Sequence, residues 1–490
     1  MRANDILHQT PRFQLLSEAQ LERVHWAALE VLRRTGVNVL VEEARELLKK
    51  AGAKVDGVRA RLPSHLVEWA IRTAPSRVVL CDRNGKPAMY LEGTMAYYGT
   101  GSDTVHTIDP YTGEKREAVK TDIANAAKVC DALPNIDFVM CMGIGSDVTG
   151  SISDLHHFEA MVNNTKKPLI PTAWNVVNCR DIVEMAEIVA DGPDALRQNP
   201  FIVMYTEPIS PLILATDPTE KILYMASKGL PVICGTGKVG GATCPVTLAG
   251  ALAQGIAEGL AGVTVAQLKQ EGTPVIFGGE RLHMDMSSTL CSYGAPEFML
   301  SVVCNAEMAT YYKLPSWSYA GCSDAKTFDQ QAAFEGAMMS LLAGLSGGNL
   351  NHDVGYLEAG LTSSLEFIVA SDEFVGWIKR LMRGIEISEE MFALDVIDRV
   401  GPGGQFLTEG HTYRHFKEDW FPRLLDRGSY EVWKEKGRRT LGERANQRVK
   451  EILEDYLPEP LPESVRKKLL MIIERAEQRE SGRFGRGTRT

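Results

Sequence analysis

The sequence predicts the α/β class, as a (β/α)8 TIM barrel with a helical and hairpin cap before it and a helical extension after it. Three observations predict it. Short runs rich in β-branched and aromatic residues alternate with amphipathic helical stretches through the middle of the chain. Eight such runs occur, the number that closes a parallel sheet on itself rather than leaving it open. A chain of 490 residues, 44% of them hydrophobic, is also long enough to bury a core of that size.

The elements follow in order. Residues 1–95 read as a cap: helices in "SEAQLERVHWAALEVLRRTG", "VEEARELLKKAG" and "PSHLVEWAIRTAP", then a hairpin in "RVVLCDRNGKPAMYLEG", whose D-R-N-G is a turn signal. The barrel spans 96–385. Its strand candidates are "AYYGTG" at 96–101, "IDFVMCMG" at 136–143, "PLIPTAW" at 168–174, "FIVMYTE" at 201–207, "LPVICGTG" at 230–237, "PVIFGGE" at 274–280, "PSWSYAG" at 315–321 and "NLNHDVG" at 349–355, each followed by a helical run. Residues 386–475 are charged and helical, and 476–490, ending in "RESGRFGRGTRT", read as a disordered tail.

Composition excludes several function classes. A net charge of −10 and an isoelectric point near 5.6 provide no basic field for a phosphate backbone, so no nucleic-acid partner is expected. Nine scattered cysteines with no C-x-x-C pair, and no H-E-x-x-H, suit a reducing compartment and predict no metal site. The N-terminus lacks a signal-peptide apolar run, and no stretch reaches the roughly 18 uninterrupted apolar residues of a membrane span. A cytoplasmic protein with no membrane partner is expected.

The chemistry-bearing residues gather at the ends of the strand runs, the face on which barrel loops build active sites. They include Tyr97; Tyr205 and Glu207; Phe277 and Arg281; Tyr319; His352, Asp353 and Tyr356. Any one aromatic taken alone is ordinary packing material, and His352 beside Asp353 is ordinary material for a buried hydrogen-bonded pair. As a set, tyrosines next to carboxylates can enclose a cation by ring quadrupole and charge together. Side chains alternate along a strand, so Tyr205 shares a face with Glu207, Phe277 with Arg281, and His352 with Tyr356. "GTGKVGG" at 235–241 contains a G-x-G-x-x-G, but it follows the fifth run rather than the first, and the nearest acid, Glu258, falls inside an Ala/Gly-rich helix. In a barrel, Gly235, Gly237, Gly240 and Gly241 instead let a large flat ligand approach the backbone. No G-x-S-x-G elbow supports acyl transfer.

The stretches "YYGTGSDTVHTIDPYTGEKREAVKTD", "EPISPL", "FGGE" and "NHDVGYLEAGLTSS", with the barrel and helical C-terminus, are similar to the trimethylamine methyltransferase family from the N-terminal helices to roughly residue 460. The resemblance implies a barrel that moves a methyl group from a methylated amine to the Co(I) form of a corrinoid carried on a separate small protein, with no cofactor bound tightly by this chain. Members that use trimethylamine carry pyrrolysine in the active site. This chain has only the standard residues, and so resembles the branch without pyrrolysine, which acts on quaternary amines such as glycine betaine. On that reading the nine strand-end residues bind substrate by position, no residue is assigned a catalytic role, the glycine run admits the corrinoid, and a homo-oligomer is expected. A non-catalytic betaine-binding barrel, or a barrel enzyme with a bound phosphate cofactor, is the alternative.

Overall fold

The computed structural model describes residues 11–484. The three expected N-terminal helices are Glu18–Glu30, Glu42–Lys50 and Ser64–Thr73. Ser17 starts the first with a capping box, its hydroxyl accepting from Gln20 N while Gln20 Oε1 accepts from Ser17 N at 2.9 Å. Three short strands between the helices, Val37–Val39, Lys54–Asp56 and Arg59–Arg61, are absent from the sequence reading, because three residues carry too little alternation to register. Ile213–Leu214 from mid-chain completes their sheet. The expected hairpin is present as Val78–Cys81 paired with Pro87–Leu91.

The middle of the chain is mixed α/β in the expected order. Regular strands occur at Tyr97–Thr100, Val232–Cys234, Val275–Phe277, Trp317–Tyr319 and Leu350–Val354. These strands are short, and the described ones fall into six small sheets, none of them closed. The runs at 136–143, 168–174 and 201–207 form no regular strand, but isolated parallel bridges pair Gly99 with Phe138, Val139 with Leu169, Leu169 with Ile202 and Met204 with Val232. Parallel pairings continue through Val232–Val275, Phe277–Ser316 and Trp317–Leu350, and Leu350 returns to Tyr97. Helices Lys120–Ala132, Ser153–Asn164, Val176–Val189, Thr216–Lys228, Leu248–Lys269, Pro296–Tyr312, Gln330–Ser346 and Leu365–Met382 follow the eight segments.

Two apolar layers result from side-chain alternation. Tyr97, Phe138, Ile170, Val203, Ile233, Ile276, Trp317 and Leu350, one from each segment, pack together with Val78, Leu80, Met89 and Leu91 of the hairpin. The hairpin therefore covers the inner faces of the segments. The opposite faces pack on the helices. Leu248–Lys269 is long and apolar enough to cross a membrane by length and composition, and most of it is buried inside the protein. It is apolar on all sides because it is surrounded on all sides.

The C-terminal helix Leu441–Asp455 packs on Leu365–Met382, and Glu463–Phe484 packs on Val176–Val189, where Arg475 and Arg479 each meet Asp181. The tail expected to be disordered from 476 is helical through Phe484, since the buried Ala476 and the Arg479–Asp181 pair tie it down; 485–490 lie outside the described residues.

Candidate functional site

The segment ends bring six of the nine expected residues together. In extended backbone Tyr205 and Glu207 point the same way, and the Tyr205 hydroxyl donates to Glu207 Oε2. Tyr319 and His352 face each other in register on adjacent parallel strands, with ring centroids 4.1 Å apart. Trp317 lies 4.0 Å from His352 and 5.6 Å from Tyr205, which links the two pairs. Asp353 and Tyr356 both lie against Gly101, where a methyl group would overlap the Asp353 carboxyl and the Tyr356 phenol. The Tyr356 hydroxyl donates to the Ser102 carbonyl. Asp353 holds φ at +75°, as Asp103 does at 63°, so the backbone is strained at two carboxyl-bearing segment ends.

Tyr293 also belongs to the group, and sequence reasoning missed it. It arrives from an excursion in which Cys291–Ser292 returns antiparallel to Glu280–Met284, and Asp324 accepts from its backbone N–H at 2.7 Å. Its ring stacks on Phe298 at 5.2 Å and lies 6.2 Å from Tyr319.

The proton positions follow from the partners. The Ser318 carbonyl can only accept, so His352 Nδ1, 2.7 Å away, carries a hydrogen. Burial holds the ring's pKa down to about 3, so Nε2 is a bare lone pair, 3.5 Å from Asp353 Oδ1. Two lone pairs at that distance repel unless the acid is protonated. Burial, then the charges of Glu207, Glu280 and Asp103, push Asp353 well above the usual carboxylate range. Burial likewise raises Glu207, against the hydrogen bond from Tyr205.

A second group adjoins the first through Gly237, where a methyl group would overlap the Glu207 carboxylate. Lys238 is fully buried, its ammonium donating to the Gly279 carbonyl at 2.6 Å and the Glu280 carbonyl at 3.1 Å. Burial pushes its pKa down, opposed by Glu258, Glu280 and Glu207. Glu280 is raised to about 8 by burial, although Lys238 pulls the other way; its Oε1 accepts from Asn305 at 2.8 Å and its Oε2 has no partner. Arg281, paired with Lys238 in register, lies against Gly240 with Nε and Nη1 buried and unpartnered. Those are two free donors on a permanent cation. Glu258 is fixed by Ser210 Oγ and Leu212 N, each at 2.8 Å.

Three expectations are corrected. Tyr97 lies in the inner apolar layer, its hydroxyl accepting from Tyr90 N of the hairpin at 3.0 Å, away from the segment ends. Phe277 points to the helix layer, edge-on to Tyr312 at 5.7 Å and against Gly259, because Ile276 takes the inner face on that strand. The glycine run is open only in part, with Gly241 exposed and Gly237 half-buried. Gly235 and Gly240 are buried; Gly237, Gly240 and Gly241 accommodate Glu207, Arg281 and Met286 of this same chain.

Asp103, Cys141 and His157 come within metal-ligand distance of one another, as do Glu390, His411 and His415. In the first trio His157 Nε2 accepts from Gly145 N at 3.0 Å, and the Cys141 thiol, raised by burial, donates to Asp103 Oδ1 at 3.7 Å. The neutral ring then carries its hydrogen on Nδ1 with its Nε2 lone pair taken, and the thiol keeps its proton, so a metal would have to displace both the Gly145 N–H and that proton. Dialysis against a chelator is expected to leave activity unchanged, and activity lost to the chelator and restored by zinc would contradict this.

The chain resembles proteins named as methyltransferases along nearly its whole length. The profile of the family described as trimethylamine methyltransferase matches residues 1–481. A trimethylamine methyltransferase of Desulfitobacterium hafniense is 35% identical over 463 residues, covering 94% of this chain and 93% of the relative. A glycine betaine methyltransferase from another strain of that organism is 31% identical, with 94% and 97% covered. A crystal structure of a Methanosarcina barkeri monomethylamine methyltransferase superposes with a TM-score of 0.47 at 11% identity, over 90% of this chain and 89% of the other. The likeness expected from the segment-end motifs is thus matched by profile and by pairwise identity alike, and the chain belongs to the trimethylamine methyltransferase family and is a methyltransferase.

Proposed function

We propose that the eight parallel segments act as one closed barrel, and that this methyltransferase moves a methyl group from a quaternary amine, glycine betaine first, to the Co(I) of a corrinoid held by a partner protein. The barrel reading is supported by the succession of parallel pairings that returns from Leu350 to Tyr97. The observation that carries the substrate reading is the group of Tyr205, Tyr319, Tyr293 and Tyr356 around the carboxyls of Glu207 and Asp353. Aromatic faces and buried acids favour a desolvated cation over a neutral amine.

A quaternary nitrogen already carries its charge. When the methyl carbon bonds to Co(I), the C–N bond breaks with its electron pair left on nitrogen, and a neutral tertiary amine departs. No proton has to be supplied. The chain's residues need only desolvate, hold and align the substrate, which suits a site of standard side chains. Arg281, with two buried donors free, is the group we assign to the carboxylate of a betaine. Trimethylamine leaves as a neutral amine only while it keeps its N–H proton, since the unprotonated amine would have to expel an amide anion, and it has no carboxylate to place.

The test is methylation of the cobalt, followed spectroscopically, with betaine, carnitine, proline betaine, choline and trimethylamine at equal concentration. Betaine is expected to react fastest and trimethylamine to lag at least about tenfold, the ratio that one lost contact of about 1.4 kcal/mol produces. A lead for trimethylamine, or no transfer from any amine by folded protein, overturns the reading.

A further inference from the structure

The segment after helix Leu365–Met382 has no core of its own. None of residues 383–444 is buried, and the helices Glu389–Phe392, Leu394–Val400, Gly410–His415 and Tyr430–Glu435 contribute no buried side chain. Yet it is rich in large apolar residues: twelve between Ile385 and Val432 are exposed. Ile385, Ile387, Leu407, Tyr413 and Phe421 are each at least 70% exposed. The patch continues onto the two neighbouring helices, where Phe334, Met338 and Trp377 are exposed and share a groove with Leu425.

Burial of apolar surface is what holds a segment in one conformation against chain entropy. This one is tied to the rest of the chain by the Glu373 carboxylate, which accepts from the backbone of Arg423, Leu424 and Leu425, and by the half-buried Leu424 packed against the core. With about 150–200 Å² for a large apolar side chain, the exposed set offers on the order of 1,000–1,500 Å², above the roughly 800 Å² that each partner gives to a standard interface. A monomer's largest apolar patch is commonly about 300–600 Å².

We propose that this face is the interface with a second copy of the same chain. Charge favours that occupant. The chain as a whole carries −10, but residues 385–440 carry nine Lys and Arg against eleven Asp and Glu, so two copies meet here with little repulsion. Several of those charges pair within the segment, Arg399 with Glu409, Arg414 with Glu390, and His415 with Glu390 and Glu418, leaving the apolar side chains to the partner. Position argues against a protein that must reach the substrate site. Helix Leu365–Met382 starts at the segment ends, where Ser364 N donates to the Gly355 carbonyl. By Lys379 it has reached Asp137, at the opposite end of the segments. The apolar stretch starts from that far end.

Light scattering on the full chain at about 10 μM is expected to give a multiple of 53.9 kDa. The double variant Leu407→Glu, Phe421→Glu changes only exposed positions; it is expected to run as a monomer with unchanged helical circular dichroism. Should that variant aggregate, cross-linking of mixed light and 15N-labelled wild-type chains decides. Links between copies are expected at Lys417, Lys434 and Lys436. A wild-type mass of one chain, a variant of unchanged mass, no links between copies in 385–440, or protection of this segment from hydrogen exchange only after a corrinoid protein is added would each overturn the proposal.

Discussion

Replacing Glu207 by glutamine is expected to lower kcat/KM for a quaternary amine by about thirtyfold or more, with the fold intact. The side chain is nearly isosteric, so packing against Gly237 and the Tyr205 hydroxyl is kept while the charge is lost. Removing one charge from a desolvated pair costs about 2–5 kcal/mol, because the partner left behind is a buried cation without compensation. Gly237→Ala is expected to give a comparable loss by another route, since its methyl group displaces the Glu207 carboxylate without touching its charge. Tyr319→Leu removes one aromatic face, and the expected loss is smaller, about 1–2 kcal/mol. Phe277→Leu is the control. Its ring packs on Tyr312 and Gly259 in the helix layer, so it lowers thermal stability and leaves KM alone. Steady-state kinetics with glycine betaine, alongside melting curves, separates these cases. A Glu207→Gln enzyme with wild-type KM and kcat removes the acid from the site.

The order of these elements was legible because each βα unit carries its own signal, a short β-rich run and then a helical period. The site was legible only where the strand phase could be read locally. Tyr205 and Glu207 share a face because no bulge separates them. Tyr97 shares the inner phase too, but it sits two pleats below Gly101, at the hairpin, and distance along the strand is what removes it from the site. Phe277 failed for a different reason. Which face of "PVIF" turns inward is fixed by how Ile276 packs with seven other segments, and no residue nearby reports that. Tyr293 depends on a return strand and on Asp324, thirty-one residues further along the chain. Lys238 did leave a trace. Gly255 and Gly259 lie four apart on Leu248–Lys269, on the face where Lys238 and Phe277 press closest, and a glycine pair at that spacing marks a close approach.

On the proposed quaternary-amine reading, substrate affinity is expected to rise with pH up to about 8. Glu280 is held near that value by burial, so it is protonated in the free enzyme at neutral pH, and burial pushes Asp353 above the usual carboxylate range in the same direction. A quaternary cation bound beside these acids favours their ionised forms, so binding expels a proton. The complex then holds fewer protons than the free enzyme, and affinity increases with pH while the free acid stays protonated, by up to about tenfold per pH unit for one proton. Above the free-enzyme value of Glu280 its contribution levels off. Stability of the unliganded protein moves the other way. Glu280 ionises near 4.5 in the unfolded chain and near 8 in the folded one, so the native state binds the extra proton between those values and loses stability as pH rises through them. The stabilisation that glycine betaine confers on melting therefore widens from pH 6 to pH 8, even as the unliganded melting temperature falls. Glu280→Gln fixes one acid in its neutral form, and Asp353→Asn the other; the variant that flattens the KM profile identifies the group that gives up the proton. His352 titrates near 3 and contributes nothing in this window. A KM for betaine that is constant from pH 6 to pH 9, or that rises with pH, means that the cation does not meet these carboxyls.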